Sequence, residues 1–314
     1  MTSAEDLPIV DAHQHFWDVA LDKHPGFRAE PPLPFRYGDT RPLRRTYLPA
    51  DYRVDAQRHR VVGTVYVETE WDPADPLGET RWVERLAAQE GLPSAVVAQA
   101  WLDRDDVEDV LARQTACPLV RGIRHKPRAA PSPDAVLTGT PGSMSDPRWR
   151  AGFRHLARHA LSFDLQTPWW HLGEAVALAR AFPGTLIVLN HTGLPADRSP
   201  EGLRAWREAM GRLAGAPNVA VKISGLGISG RPWTPESNRE VVLRTIDLFG
   251  TDRAMFASNF PVDGLVATFD TIYGGFKAIV EDFSLADQRQ LFHDNAVRLY
   301  RLPSSPRSQA AAGP

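Results

Sequence analysis

Eight short runs rich in β-branched and small apolar residues alternate with helical patterns along the chain, and that alternation constrains the fold more than any other feature. The runs lie at 9–16 (IVDAHQHF), 61–70, 95–102, 119–126, 161–167, 185–192, 218–224 and 253–260. Amphipathic stretches fill the gaps at 78–90, 105–116, 146–160, 171–182, 201–215 and 235–250, and a last one covers 284–302. Asp146 before Pro147, and Ser284 with Asp287 three residues on, read as helix starts, because a side-chain oxygen there accepts from otherwise unpaired backbone N–H groups. Strands alternating with helices predict βαβ crossovers and a parallel sheet. Eight is the number that closes such a sheet into a barrel; a doubly wound open sheet is the other arrangement the pattern allows. No repeat or linker interrupts the pattern, so 1–302 reads as one domain, followed by a small, polar, proline-bearing stretch at 303–314 expected to be a disordered tail.

Composition excludes several functions. With 43% hydrophobic and 24% charged residues the chain is ordinary for a globular protein. A formal net charge of -2 and the lack of any Lys/Arg-rich run leave no electrostatic footprint for a phosphate backbone, so no nucleic acid partner is expected. No apolar run is long enough to span a bilayer, and the opening MTSAEDLP lacks the basic start and apolar run of a secretory signal. The single cysteine, Cys117, excludes an internal disulfide and fits a reducing compartment. These features predict a cytoplasmic protein acting on a small molecule; oligomeric state carries no signal in the sequence.

Three connections are long. Residues 18–60 are proline-rich and too extended for a plain βα loop, which predicts a lid or substrate wall. The segments 127–145 and 224–238 follow the fourth and seventh runs, and in a barrel they would share its face. That face is where barrel active sites lie. Strand alternation puts Ile9, Asp11, His13 and His15 on one side of the first run. The His13/His15 pair reads either as hydrogen-bonded core histidines or as ligands, and a strand C-terminus favours ligands. His191, ending the sixth run ahead of Gly193, supplies a third imidazole, and neutral imidazoles converging from rigid elements are what zinc or another divalent ion requires.

The segments DAHQHFWD, RGIRHKP, FDLQTPWW, VLNHTGLP, VAVKISGLG, FASNFPVDGL and DNAVRLY follow one another from residue 9 region to about 301. In that order they resemble the amidohydrolase superfamily, in particular its metal-dependent hydrolases that include sugar-acid and dicarboxylate lactonases. The resemblance implies a distorted (β/α)8 TIM barrel with His13, His15 and His191 around the reacting carbonyl, with one divalent ion, zinc first, or with none. It also implies an aspartate ending the eighth strand as ligand and general base, where this chain has Asn259. A carboxylate takes up a proton and carries charge; an amide does neither. Members with two metals carry a histidine where the fifth run has Gln166, so a binuclear site is not expected.

A replacement base is sought on the second run. There Val61, Val65 and Val67 form an apolar face, and Thr64, Tyr66, Glu68 and Glu70 a polar one read as pointing into the barrel. Glu68 is the first candidate if desolvation raises its pKa; a salt bridge to Arg124 or Lys126 is the competing reading. Asp263 could reach back from its loop. Arg124 and Lys126, with Ile123 turned outward, suit a carboxylate or polyhydroxy substrate, or ion pairs at the rim. Gln166 is read as a substrate contact, and Trp169 and Trp170 either wall the pocket or pack on the next helix. The reading is a hydrolase that opens a cyclic ester, with Asn259 orienting water. A nonoxidative decarboxylase and a non-catalytic binding protein stand as alternatives.

Overall fold

The computed structural model describes residues 7–303, so the expected tail lies, past Pro303, outside the described residues. The eight runs become β1 (Ile9–Gln14), β2 (Val61–Val67), β3 (Ala95–Gln99), β4 (Val120–Arg124), β5 (Ser162–Leu165), β6 (Ile187–Leu189), β7 (Val219–Ile223) and β8 (Ala254–Phe256). Each is paired with the next in chain order, all parallel. A bridge from Gln14 to Phe260 brings the sheet round on itself. With helices between successive strands this is a (β/α)8 barrel in one domain.

The outer layer is α1 (Pro49–Ala56), α2 (Gly78–Glu90), α3 (Val107–Gln114), α4 (Pro147–Phe153), α5 (Leu172–Ala181), α6 (Pro200–Ala214), α7 (Pro235–Phe249) and α8 (Phe269–Ile279). The single closing helix expected at 284–302 is instead α9 (Leu285–Arg289) and α10 (Asn295–Leu299), joined by a π turn at Gln290–Asp294. Asp146 accepts from Arg148 N at 2.9 Å and Ser284 Oγ from Asp287 N at 3.1 Å, as helix starts require. Two helices fall outside the expected stretches. The first, α1, lies inside the proline-rich stretch, and α8 has Gly274 and Gly275 at its centre, which weaken a helix by roughly 1 kcal/mol each. Packing explains Gly275, since a Cβ there would lie 2.1 Å from the Trp233 ring.

Apolar side chains form two shells. Inside the barrel sit Val10, Ala12, Val65, Val67, Val97 and Met255, closed below by Tyr300 after α10. Outside it, residues such as Phe163, Phe256, Trp206 and Phe276 pack strands on helices. This assignment overturns two readings of strand faces. Val65 and Val67 point inward, whereas Tyr66 points outward, its hydroxyl donating to Glu79 of α2 at 2.7 Å. Ile9 and Asp11 likewise face the helices, not the site; the Tyr52 hydroxyl of α1 donates to Asp11 at 2.8 Å. The cause is a bulge in β1. Asp11 pairs with Thr64 but Gln14 with Tyr66, so β1 spends three steps where β2 spends two. One extra residue reverses the side-chain alternation, and His13 and His15 turn inward although Ile9 and Asp11 do not.

Asp11 also fastens the barrel seam. Its carboxylate accepts from Ser258 N at 2.8 Å, Ser258 Oγ at 2.6 Å and His13 N at 3.3 Å, beyond the Tyr52 contact. Asp11→Ala would strand several buried donors at about 1–3 kcal/mol each. Urea denaturation of that variant is expected to show a loss of about 3–5 kcal/mol; an unchanged midpoint would show that the seam does not depend on Asp11.

Candidate active site

The C-terminal ends of the strands surround a cavity of about 490 Å³. Its wall includes His15, Glu68, Arg124, Gln166, His191 and Asn259, with Lys126 and Glu70 nearer the rim. The histidines form one cluster. His13 and His15 place their Nε2 atoms 3.2 Å apart, and the His13 and His191 rings have centroids 4.7 Å apart. Backbone conformation singles out the same places: Glu70, His191, Leu194 and Asn259 all line the cavity and all have positive φ, between 56° and 59° apart from His191 at 55°. Such strain in non-glycine residues persists where the surroundings enforce it, and it concentrates at sites. Gly225, itself at φ +63°, leaves room for His191; a Cβ there would lie 2.8 Å from the imidazole.

A backbone partner fixes the tautomer of His15. His15 Nδ1 lies 2.7 Å from the carbonyl oxygen of Val67. A carbonyl only accepts, so Nδ1 carries the proton and the Nε2 lone pair faces the cluster. Asn259 donates through Nδ2 to Asp263 Oδ1 at 2.6 Å, which turns its Oδ1 toward His15 Nε2 at 3.3 Å. Two acceptors therefore face each other, an arrangement relieved by a water donating to both or by a cation. His191 Nδ1 is held by the Ser224 hydroxyl at 2.8 Å, leaving its Nε2 as the available nitrogen.

Burial, then the nearby cations, keeps all three imidazoles neutral. His15 is lowered to about 3 by burial and by Arg124. His13 is held well below its ordinary value by burial and Lys222, and His191 by burial and Arg36. Lys222, fully buried on β7, pairs with Asp164 of β5 at 2.5 Å beneath the cluster. Asp263 moves the other way: burial pushes it up to about 6 against the pull of Arg36, Asn259 and Tyr37.

Glu68 does not have the raised pKa that a base needs. Burial raises it, but Arg124 and Lys126 outweigh burial and hold it below the usual carboxylate range. It pairs with Arg124 Nε at 2.5 Å, and Arg124 Nη1 donates to Gln166 at 3.0 Å. Lys126 pairs with Glu70. Arg121 and His125 point away, Arg121 onto backbone carbonyls and His125 between Trp101 and Trp149. Trp169 and Trp170 do not line the cavity: Trp169 packs against the core, and Trp170 Nε1 donates to Ala130 O at 2.9 Å. Sequence reasoning missed Arg36, Lys222 and Ser224. Lys222 had a signal, a lysine at an inward position of an otherwise apolar strand; Arg36, in the proline-rich stretch, had none.

Among the described residues no group of three His, Cys, Asp or Glu side chains is arranged to hold a metal ion. The donors that do converge are His13 Nε2, His15 Nε2 and Asn259 Oδ1. Their separations of 3.2 and 3.3 Å match adjacent ligands around an ion with bonds of about 2.0–2.1 Å. Both separations from His15 suit neighbouring ligands of one ion, and the set contributes no negative charge.

A family model described as amidohydrolase matches residues 10–302. The uncharacterized protein y4mH of Sinorhizobium fredii is 41% identical over 95% of this chain and 99% of its own length. An L-fucono-1,5-lactonase of Burkholderia ambifaria is 30% identical over 93% of this chain and 95% of its own. An amidohydrolase from Burkholderia multivorans, solved with bound HEPES and in another crystal form with zinc, superposes with TM-scores of 0.77 and 0.76 at 25% identity, covering 94% of this chain and 99% of that one.

Two outcomes follow from the site's packing and charge. Gly225→Ala should push the His191 ring off its position, and a crystal structure or the histidine ring resonances of the variant should show the shift; an unmoved ring would contradict the close-packing reading. The imidazoles bear on acid stability. Their folded pKa values lie below the ordinary 6.5, His15 at about 3 and His24 at about 4. Their contribution is complete above pH 6.5 and is lost as pH falls toward the folded values. Asp263 and Glu79, raised to about 6 and about 7, act in the opposite sense. Asp11, also raised by burial, joins them. Against these three carboxyls stand six lowered histidines, His13, His15, His24, His59, His125 and His191, so the urea midpoint should fall from pH 6.5 to 4, and less steeply in His15→Gln. A flat midpoint would contradict the neutral cluster.

Proposed function

The chain belongs to the amidohydrolase family, and on that footing we propose that it is a hydrolase that opens a cyclic ester by water attack at the carbonyl. The observation that carries the reading is the pair of opposed acceptors, His15 Nε2 and Asn259 Oδ1, at the mouth of a barrel beside a fixed guanidinium. Similarity to lactonase relatives supports the choice of ester.

A water donating to both acceptors presents a lone pair to the substrate carbonyl. Asn259 orients it, and His15 takes the proton as attack proceeds. A resting value of about 3, set first by burial and then by Arg124, makes His15 a weak base; the negative charge building on the carbonyl oxygen offsets the Arg124 part and favours the imidazolium as attack proceeds. Arg124, held by Glu68 and Gln166, stabilises that oxyanion. The protonated imidazole then returns its proton to the leaving ring oxygen, giving a hydroxy acid. Glu68 is thus a positioning residue for Arg124. His13, His15 and Asn259, with His191 beside them, are the residues that would hold a divalent ion, zinc first. When bound there, such an ion supplies Lewis acidity toward the carbonyl.

The test is a pH-indicator screen of sugar and aromatic-acid lactones. Acid release is expected, and Asn259→Ala should lower kcat/KM by about tenfold or more, the effect of losing a group used in the transition state. Unchanged kcat/KM in that variant would remove Asn259 from the mechanism. Carbon dioxide release from an aromatic acid, with no acid from any lactone, would favour the decarboxylase. A silent parent that gains lactonase activity on Asn259→Asp would favour the binding protein.

A further inference from the structure

The long connection between β1 and α1 behaves as a strap across the barrel mouth. It is pinned at its base by reciprocal backbone bonds, Trp17 N to Tyr47 O at 3.0 Å and Tyr47 N to Trp17 O at 2.9 Å. Farther along, Tyr37 docks it onto two other loops: its hydroxyl donates to Asp263 at 3.1 Å, and its carbonyl accepts from Ser229 Oγ at 3.3 Å. Between these fixings the strap delivers Arg36 to the cavity wall. A Cβ on Gly225 would meet the His191 ring at 2.8 Å and Arg36 Nη2 at 3.0 Å, so guanidinium and imidazole flank one glycine.

Charge balance sets Arg36 apart from the other cations of the wall. Arg124 is matched by Glu68 and Lys126 by Glu70. Among the described residues Arg36 has one carboxylate, Asp263 at 4.0 Å, whose nearest oxygen already accepts from Asn259 and Tyr37, and its Nη2 also donates to the Tyr37 hydroxyl at 3.4 Å. The Arg36 side chain is 20% exposed, its Nε is buried without a partner, and its guanidinium lies 4.5 Å from the Tyr37 ring centroid. The cavity wall thus carries three cations, Arg36, Arg124 and Lys126, against two carboxylates, Glu68 and Glu70, with Asp263 buried behind Arg36. A half-desolvated guanidinium with unused donors is a receptor for an anion, which it engages through two parallel hydrogen bonds.

We propose that Arg36 is the specificity residue of this cavity, pairing with a carboxylate that the substrate carries apart from its reacting carbonyl. This deepens the hydrolase reading and rests on it for the identity of the reacting group. It moves the recognition of acid from Arg124 and Lys126, which the sequence favoured, to the strap. Arg36 orients the substrate and takes no part in bond making.

Calorimetric titration of citrate and malonate into the full chain tests the proposal without turnover. The parent should bind at least one of them. Arg36→Gln should weaken that binding about tenfold or more, the scale of one charge-assisted pair. Arg36→Lys should weaken it less, and Lys126→Gln, whose partner Glu70 already balances it, should change it less than about threefold. Thermal midpoints of all variants establish that the fold is kept. Equal binding by parent and Arg36→Gln, or no binding of either acid by the parent, overturns the proposal. Arg36-dependent binding with no acid released from any lactone removes the hydrolase reading and keeps the anion site; acid release with binding indifferent to Arg36 does the reverse.

Discussion

The seam between β1 and the segment after β8 is the constraint on which the rest of the site depends. A parallel barrel closes where its first and last strands meet, and here β8 is only three residues long. The closure is carried by the Asp11 carboxylate on Ser258, by His15 N to Phe260 O at 2.8 Å and by Asn259 N to His13 O at 2.8 Å. These bonds alternate with the chemistry-bearing residues along the same two segments. Stability and function share a few residues there, so a change that loosens the seam displaces His13, His15 and Asn259 together.

Burial then decides what those residues can be. Imidazoles packed above a buried Lys222–Asp164 pair, with Arg124 close by, stay neutral, and a neutral imidazole with one nitrogen pledged to a carbonyl has a single lone pair to offer. Asn259 keeps that electrostatic balance. An aspartate in its place would set a second carboxylate against Asp263, which burial already pushes up to about 6. The amide instead links His15 to Asp263 without adding charge.

The fold was legible because alternating strands and helices are a pattern of the whole chain, with all eight strands found where the β-branched runs lie. The face of β1 was not, because one bulged residue inverts alternation and no residue type announces it. Hydrophobic Val65 and Val67 looked like an outer face, since barrel interiors and barrel exteriors are both apolar. The convergence of His13, His15 and His191 was legible from their places at strand ends, and the place of Asn259 beside them from the resemblance. For Glu68 the sequence left two readings, a base or a salt bridge to Arg124 or Lys126, because its pKa turns on the distance to Arg124, a residue 56 positions away; the structure has the salt bridge to Arg124. Arg36 was invisible for a similar reason: its neighbours Gly225, Tyr37 and Asp263 come from three loops that only the closed barrel brings together.

The central claim is that the cluster is neutral and that His15 turns its Nε2 lone pair into the cavity. Long-range proton–nitrogen NMR of the histidine rings, with assignments from His13, His15 and His191 variants, reads protonation and tautomer directly at pH 7. Three neutral rings are expected, with His15 protonated at Nδ1. A positively charged ring in the cluster, or a His15 proton on Nε2, would contradict it.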